Sequence, residues 1–298
     1  MYTGIYPILY ALFDAQGRLD ETAMRRQIAA CVAGPSHGVA ALGLATEVGK
    51  LTGEEKRLII DWLAQDAAGV KPVAITVSGA SVAEQVALAT YAQDRGAQWL
   101  ILQPPRGPEI GDRPESYYYD FFAEVMARVE LPCAIQNAPE YLGVGLSPES
   151  IAKLARERAN FTLLKGEGPA VHMAEVIARN PGMAVFNGRG GLELVDNLRA
   201  GCAGMIIGAE SFDWQARIHD AYRAGDLEQA EGLYRRILPG IVFMMQSLEH
   251  LVCYGKRVAA QRIGLAQVHE RAPALAPNAF GLACARRFAQ ALGPLAQG

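Results

Sequence analysis

The sequence contains no Cys-x-x-Cys pair, no block of like charge and no apolar run of membrane-spanning length. Each absence removes a class of function. The five cysteines, Cys31, Cys133, Cys202, Cys253 and Cys284, are scattered and odd in number. That favours reduced thiols in a cytoplasmic protein over a disulfide scaffold. Their plain reading is small buried hydrophobes, left open only for Cys133. The formal net charge is −3, with no basic stripe, so nothing supplies the phosphate contacts that a nucleic-acid partner needs. The longest apolar stretches are broken by Gly, Pro or charge, so no transmembrane helix and no membrane partner are expected. Met1-Tyr2-Thr3-Gly4-Ile5-Tyr6 lacks a basic start and a small-residue cleavage site, which argues against a signal peptide. His37, His172, His219, His250 and His269 show no ligand spacing with Cys, Asp or Glu, and no metal site is expected. No Gly-x-Gly-x-x-Gly turn follows the first apolar run, which leaves an open dinucleotide-binding sheet little support.

What is present is an alternation. Short β-branched or apolar runs are each followed by a longer segment of helical period. Candidate strands are Gly4–Phe13, Val39–Ala45, Pro72–Ser78, Gln98–Gln103, Pro132–Asn137, Phe161–Gly166, Met183–Asn187 and Gly204–Gly208. Candidate helices start near Glu21, Gly53, Val82, Glu115, Ser147, Pro169, Gly191 and Phe212. Thr52-Gly53-Glu54-Glu55 outlines a capping box, and Ser147-Pro148-Glu149 places proline at the first helical position behind a serine cap. Eight βα units over about 220 residues have the count and spacing of a closed (β/α)₈ barrel. The expected organisation is a TIM barrel over residues 1–225. A C-terminal helical extension over 226–298 packs on it, built from Asp226–Met245, Gln246–Leu265 and Pro277–Leu292.

In such a barrel the chemistry lies at the C-terminal ends of the strands. Those ends carry Thr46 and Glu47, Ser78, Gln103 and Arg106, Gln136 and Asn137, Lys165 and Glu167, and Asn187 and Arg189. Of the six lysines, the other five sit in helices or loops with polar neighbours, whereas Lys165 ends the run Phe161-Thr162-Leu163-Leu164. Burial there would favour the neutral amine that carbonyl addition requires. The competing reading is a lysine reaching solvent at the strand end, paired with Glu167. Gln136 faces Lys165 as a site residue or is a satisfied barrel amide. Glu47 is a site acid or a carboxylate held by backbone N–H groups at a helix start. Thr46 caps, or its hydroxyl and backbone N–H hold a carboxylate. Asn137 braces its loop. Tyr117-Tyr118-Tyr119 reads as helix packing, with a reach into a neighbouring subunit as the alternative.

Phe161–Gly168 (FTLLKGEG) resembles the strand that bears the Schiff-base lysine in the dihydrodipicolinate synthase / N-acetylneuraminate lyase superfamily. Gly4–Asp20, Gly43-Leu44-Ala45-Thr46-Glu47, Gln103-Pro104-Pro105, Asn187-Gly188 and Gly201-Cys202-Ala203-Gly204 resemble further family landmarks in the same order. The resemblance implies a class I aldolase barrel, a homotetramer, and no metal or organic cofactor. It implies Lys165 and Gln136 as catalytic residues, with Ala45, Thr46, Glu47, Arg106, Asn187, Gly188, Arg189 and Ile207 as the substrate-binding set. The departures are specific. Leu44-Ala45 stands where synthases carry Thr-Thr, Gln136 stands at the relay tyrosine, Tyr141 at the carboxylate-binding arginine and Arg106 at the strand-four tyrosine. These changes argue against a role in lysine biosynthesis. The Gln-Asn-Ala-Pro sequence of strand five and the Thr46-Glu47 pair resemble the 2-keto-3-deoxy-L-arabonate dehydratases. The implied ligand is a 2-keto acid such as pyruvate or a keto-deoxy sugar acid, and the implied reaction is dehydration. The alternatives are a pyruvate-dependent aldolase and a barrel that binds keto acids without turnover.

Overall fold

The computed structural model describes residues 2–107 and 110–295. In chain order its elements are β1 Gly4–Ile8, α1 Glu21–Ala33, β2 Val39–Ala41, α2 Gly53–Ala67, β3 Val73–Val77, α3 Val82–Asp94, β4 Trp99–Leu102 and α4 Glu115–Met126. Then come β5 Cys133–Asn137, α5 Pro139–Leu142, α6 Pro148–Glu157, β6 Phe161–Gly166, α7 Ala170–Arg179, β7 Ala184–Asn187, α8 Leu194–Arg199, β8 Gly204–Gly208 and α9 Phe212–Arg223. The chain continues through α10 Leu227–Met244, α11 Leu248–His250, a π-helical turn Leu251–Gly255, α12 Lys256–Arg262 and α13 Ala279–Leu292. Strands β1 to β8 pair in sequence order, all parallel, and β8 closes on β1. This is the (β/α)₈ barrel that the alternation predicts. Among the described residues, no single helix is long and apolar enough to cross a membrane.

The expected local signals act where they were read. Thr52 and Glu55 form a complete capping box at α2, and the Ser147 side chain caps α6 ahead of Pro148. Strand β1 ends at Ile8, well short of the expected Phe13, and three further stretches differ from expectation. Strand β2 stops at Ala41, short of Ala45, because Leu42 turns into the left-handed region at φ 65°. Helix α8 starts at Leu194 instead of Gly191, because Gly190 and Gly191 have positive φ and form a separate turn. The single helix expected over Gln246–Leu265 is instead α11, the π-turn and α12 in succession.

The floor of the barrel is aromatic. Tyr6, Trp99 and Phe186 come from β1, β4 and β7, strands that are not neighbours, yet their ring centroids lie 5.4–5.6 Å apart. Side chains on such strands meet only through the barrel interior. Lys165 pairs in register with Phe186 on one side and Gln136 on the other. Residues in register share a face of the sheet, so the lysine points inward with both. Gly204 permits the closing contact, since a Cβ there would lie 1.8 Å from the Gly4 carbonyl oxygen.

Candidate active site

Lys165 is 3% exposed, so the reading that carries it out to solvent does not hold. Its neighbours form a chain of polar contacts across the top of the barrel. Gln103 Nε2 donates to Gln136 Oε1 at 2.8 Å. Gln136 Nε2 donates to Glu167 Oε2 at 2.5 Å. The same carboxylate oxygen stands 3.4 Å from Lys165 Nζ. Glu167 is itself 6% exposed and is held by its backbone N–H to the Asn137 carbonyl at 2.9 Å. A Cβ on Gly188 would come within 2.2 Å of Glu167 Oε1, so glycine at 188 admits the carboxylate. A buried amine beside a buried carboxylate is the pairing that imine formation and proton removal from a neighbouring carbon both use.

Two cavities meet at this place. A narrow chamber of about 30 Å³ is lined by Lys165, Glu167, Tyr141, Arg189, Ala45 and Ile207, with Ile8 and Ile206 among its apolar walls. A cleft of about 1010 Å³ adjoins it, with Leu44 and Leu248 lining both. The cleft carries Lys56, Ser78, Gln103 and Arg106. Lys165 lines the smaller space and not the larger one. The loops that shape the chamber are strained. The non-glycine residues with left-handed backbone among those described are Leu42, Glu47, Arg189 and Glu193, all in the segments that follow β2 and β7, and such strain gathers at functional sites.

The expected substrate-binding residues divide in two. Ala45, Arg189 and Ile207 line the chamber, and Gly188 makes room for Glu167. Arg106 is exposed and lines the outer cleft. Glu109, three residues further along the chain, lies outside the described residues. Thr46 and Asn187 are turned to other work. The Thr46 hydroxyl donates to the Leu9 carbonyl at 2.6 Å and its N–H to Gly43 at 3.1 Å, leaving no donor for a carboxylate. Asn187 Nδ2 bonds Gly168 and Asn197, and its Oδ1 accepts from Gly188 N–H. Glu47 is not held by backbone N–H groups. Its buried carboxylate is bonded by the Nζ atoms of Lys50 and Lys256. Lys256, expected among the solvated lysines, is fully buried between Glu47 and Glu270.

Two groups matter more here than their sequence signals indicated. Glu167 was visible only as a partner for Lys165. Tyr141 was visible only as a missing arginine, yet it brings a phenol into the Lys165 chamber. Burial and the nearby Glu167 charge raise its pKa, and Arg189 acts against them. At the opposite end of the barrel, His37, His219 and Asp220 converge, a cluster that the sequence spacing did not reveal. The Ile5 N–H donates to His37 Nδ1 at 3.1 Å, which leaves the ring proton on Nε2, 2.9 Å from Asp220 Oδ1. A metal on Nε2 would need that proton on Nδ1, facing another donor. The cluster fits a hydrogen-bonded brace better than a metal centre.

A model of the dihydrodipicolinate synthetase family matches residues 1–279. The chain is 28% identical over 242 residues to L-2-keto-3-deoxyarabonate dehydratase of Azospirillum brasilense, covering 80% of this chain and 78% of that one. It is 27% identical over 262 residues to a protein of Escherichia coli K12 described as a probable 2-dehydro-3-deoxy-D-pentonate aldolase, covering 85% and 86%. Among solved structures, a prophage protein of the dihydrodipicolinic acid synthase family from E. coli K12, in complex with pyruvate, superposes with a TM-score of 0.88 at 24% identity. That match covers 98% of this chain and 99% of the other.

Proposed function

This chain belongs to the dihydrodipicolinate synthetase family, and from that premise we propose that it is a Schiff-base lyase that dehydrates a 2-keto-3-deoxy sugar acid. The observation that carries this reading is the buried Lys165 beside the Gln136–Glu167 pair. Lys165 Nζ adds to the C2 carbonyl, and loss of water gives a protonated imine. The imine withdraws electrons from C3, and the Glu167 carboxylate takes the C3 proton to leave an enamine. Expulsion of the C4 hydroxyl as water then gives a conjugated imine, and hydrolysis of its C=N bond releases the dehydrated keto acid and restores Lys165. Gln136 donates to Glu167 and fixes its direction. Arg189 and Ala45 border the bound keto acid, and the wide outer cleft admits a hydroxylated substrate to the chamber. Similarity to a keto-deoxy sugar acid dehydratase supports the choice of reaction, and the pyruvate complex of a structural neighbour supports the choice of head group. The reading includes a homotetramer, which light scattering on the purified protein tests.

Borohydride treatment with pyruvate should yield one adduct per chain by intact mass, and peptide mapping should place it on Lys165. An adduct on another residue, or none with any 2-keto acid, rejects the reading. In the same screen 2-keto-3-deoxy-L-arabonate should lose water, and retro-aldol release of pyruvate would reassign the protein to the aldolases. With pyruvate and aspartate semialdehyde, turnover should stay far below the ordinary enzyme value of about 10 s⁻¹, because Gln136 cannot relay protons as a phenol does.

A further inference from the structure

We propose that Tyr141 is the catalytic acid that protonates the departing C4 hydroxyl, an assignment that rests on the dehydratase reading above. Elimination from the enamine needs two proton transfers of opposite sense. One group removes the C3 proton, and another must supply a proton to the C4 oxygen, because hydroxide is a poor leaving group. The chamber that contains Lys165 holds two titratable groups besides the lysine and Arg189: Glu167 and Tyr141. Glu167 is fixed as an acceptor. Its Oε2 receives Gln136 Nε2 and faces Lys165 Nζ, and its Oε1 fills the space left by the missing side chain of Gly188. Tyr141 is placed differently. It stands on α5, a single turn after β5 that is held in position by Asn137, whose side chain bonds both the N–H and the carbonyl of Leu146.

The surroundings suit the phenol to giving up a proton only when one is demanded. Burial and the negative Glu167 keep the proton on the resting hydroxyl, and the Arg189 guanidinium favours the phenolate once it forms. Arg189 is held by Glu193 at 2.9 Å and lies 3.4 Å from Glu140. The step balances without any co-reactant. Glu167 takes the C3 proton, and the electron pair forms the C2–C3 double bond of the enamine. The nitrogen pair then restores C2=N, the C3–C4 double bond forms and the C4–O bond breaks. Tyr141 gives its proton to that oxygen and water leaves. The proton held by Glu167 returns to the phenolate, and the net change is loss of one water.

The test compares the wild type with Tyr141→Phe in three reactions. Pyruvate with borohydride reads imine formation. Exchange of the pyruvate methyl protons in deuterium oxide, followed by NMR, reads proton removal by Glu167. Elimination from 2-keto-3-deoxy-L-arabonate and from its 4-deoxy-4-fluoro analogue reads the leaving-group step, since fluoride departs without an acid. The variant should keep adduct formation and methyl exchange within about threefold, lose about 100-fold or more in dehydration, and release fluoride at close to the wild-type rate. Retained adduct formation also shows that the variant is folded. Unchanged dehydration overturns the assignment, as does an equal fall in dehydration and fluoride release or a parallel fall in methyl exchange. A wild type that forms no adduct overturns the Schiff-base reading, and one that forms the adduct but cleaves C3–C4 overturns the dehydratase reading; a wild type that dehydrates, beside a variant that behaves in any of the ways just given, overturns the role of Tyr141 alone.

Discussion

At the scale of single residues, Arg189 illustrates how a side chain is committed in part and left available in part. Its Nη1 is engaged by Glu193 at 2.9 Å. Its Nε is buried, makes no hydrogen bond among the described residues and lies 3.4 Å from the Glu140 carboxylate. A buried guanidinium N–H without a hydrogen bond is uncommon, and Arg189 lines the Lys165 chamber, so a substrate hydroxyl or carboxylate bound there would compete with Glu140 for it. Arg106 differs, being exposed on the wide cleft, where charged contacts are screened and weak. Replacement of Arg189 by Met should therefore remove about 1.5–3 kcal/mol of transition-state binding for a full sugar-acid substrate. The same change at Arg106 should remove less than about 1 kcal/mol. Kinetics of both variants on 2-keto-3-deoxy-L-arabonate separate the two. Equal effects would mean that the buried N–H is not what the substrate meets.

At the scale of elements, the barrel was legible because its signals are local. Period, caps and turn residues repeat within about 30 residues, and seven of the eight expected helix starts coincide with observed first residues or lie one residue before them, as at Glu21 and Ser147. Lys165 and its strand were legible for the same reason: one charged residue ends an apolar run. The ties between distant elements carry no such mark. Lys256 and Glu47 are 209 residues apart in sequence, and nothing in the spacing of either announces a pair. The pair joins α12 to the strained loop after β2, whose Leu44 lines both cavities. Glu270 adds a second carboxylate to Lys256 at 3.1 Å and one to Arg257 at 2.5 Å. Arg271 reaches back to Glu55, Gly17 and Lys50. The C-terminal segment is therefore clasped to the loops of the catalytic face. Lys256→Met leaves Glu47 with Lys50 alone and Glu270 with Arg257 alone, so it should lower stability by about 1–3 kcal/mol, the cost of a lost buried charged hydrogen bond. Urea unfolding measures this. Glu47→Gln in the same chain should recover part of the loss, and a single variant within about 0.5 kcal/mol of wild type would show that the buried charges are balanced in some other way.

At the scale of the whole molecule, two buried titratable groups at opposite ends of the barrel give stability a pH dependence of opposite sign. His219, beside His37 and Asp220, has its pKa lowered, chiefly by burial. The native state then binds fewer protons than the unfolded state, so this contribution is present above the ordinary histidine range and is lost as pH falls through it. Glu210 follows β8 on the catalytic side. Its Oε2 accepts the Tyr10 hydroxyl at 2.8 Å, its Oε1 has no partner among the described residues, and burial raises its pKa. The nearest cation, Arg262, is already bound by both carboxylate oxygens of Asp213 at 2.8 Å. For Glu210 the native state holds the proton that the unfolded state releases. Its contribution is complete below the ordinary glutamate range and is lost as pH rises through the folded value. One proton bounds the slope at about 1.4 kcal/mol per pH unit. Glu210→Gln keeps the shape of the neutral acid and removes the titration. The variant should match the wild type near pH 4.5, gain on it steadily as pH rises, and be the more stable protein at pH 8. Urea midpoints of the two proteins across that range measure the difference. Parallel curves would mean that Glu210 ionises in the fold as readily as in the unfolded chain, with Tyr10 and a solvent path meeting its charge.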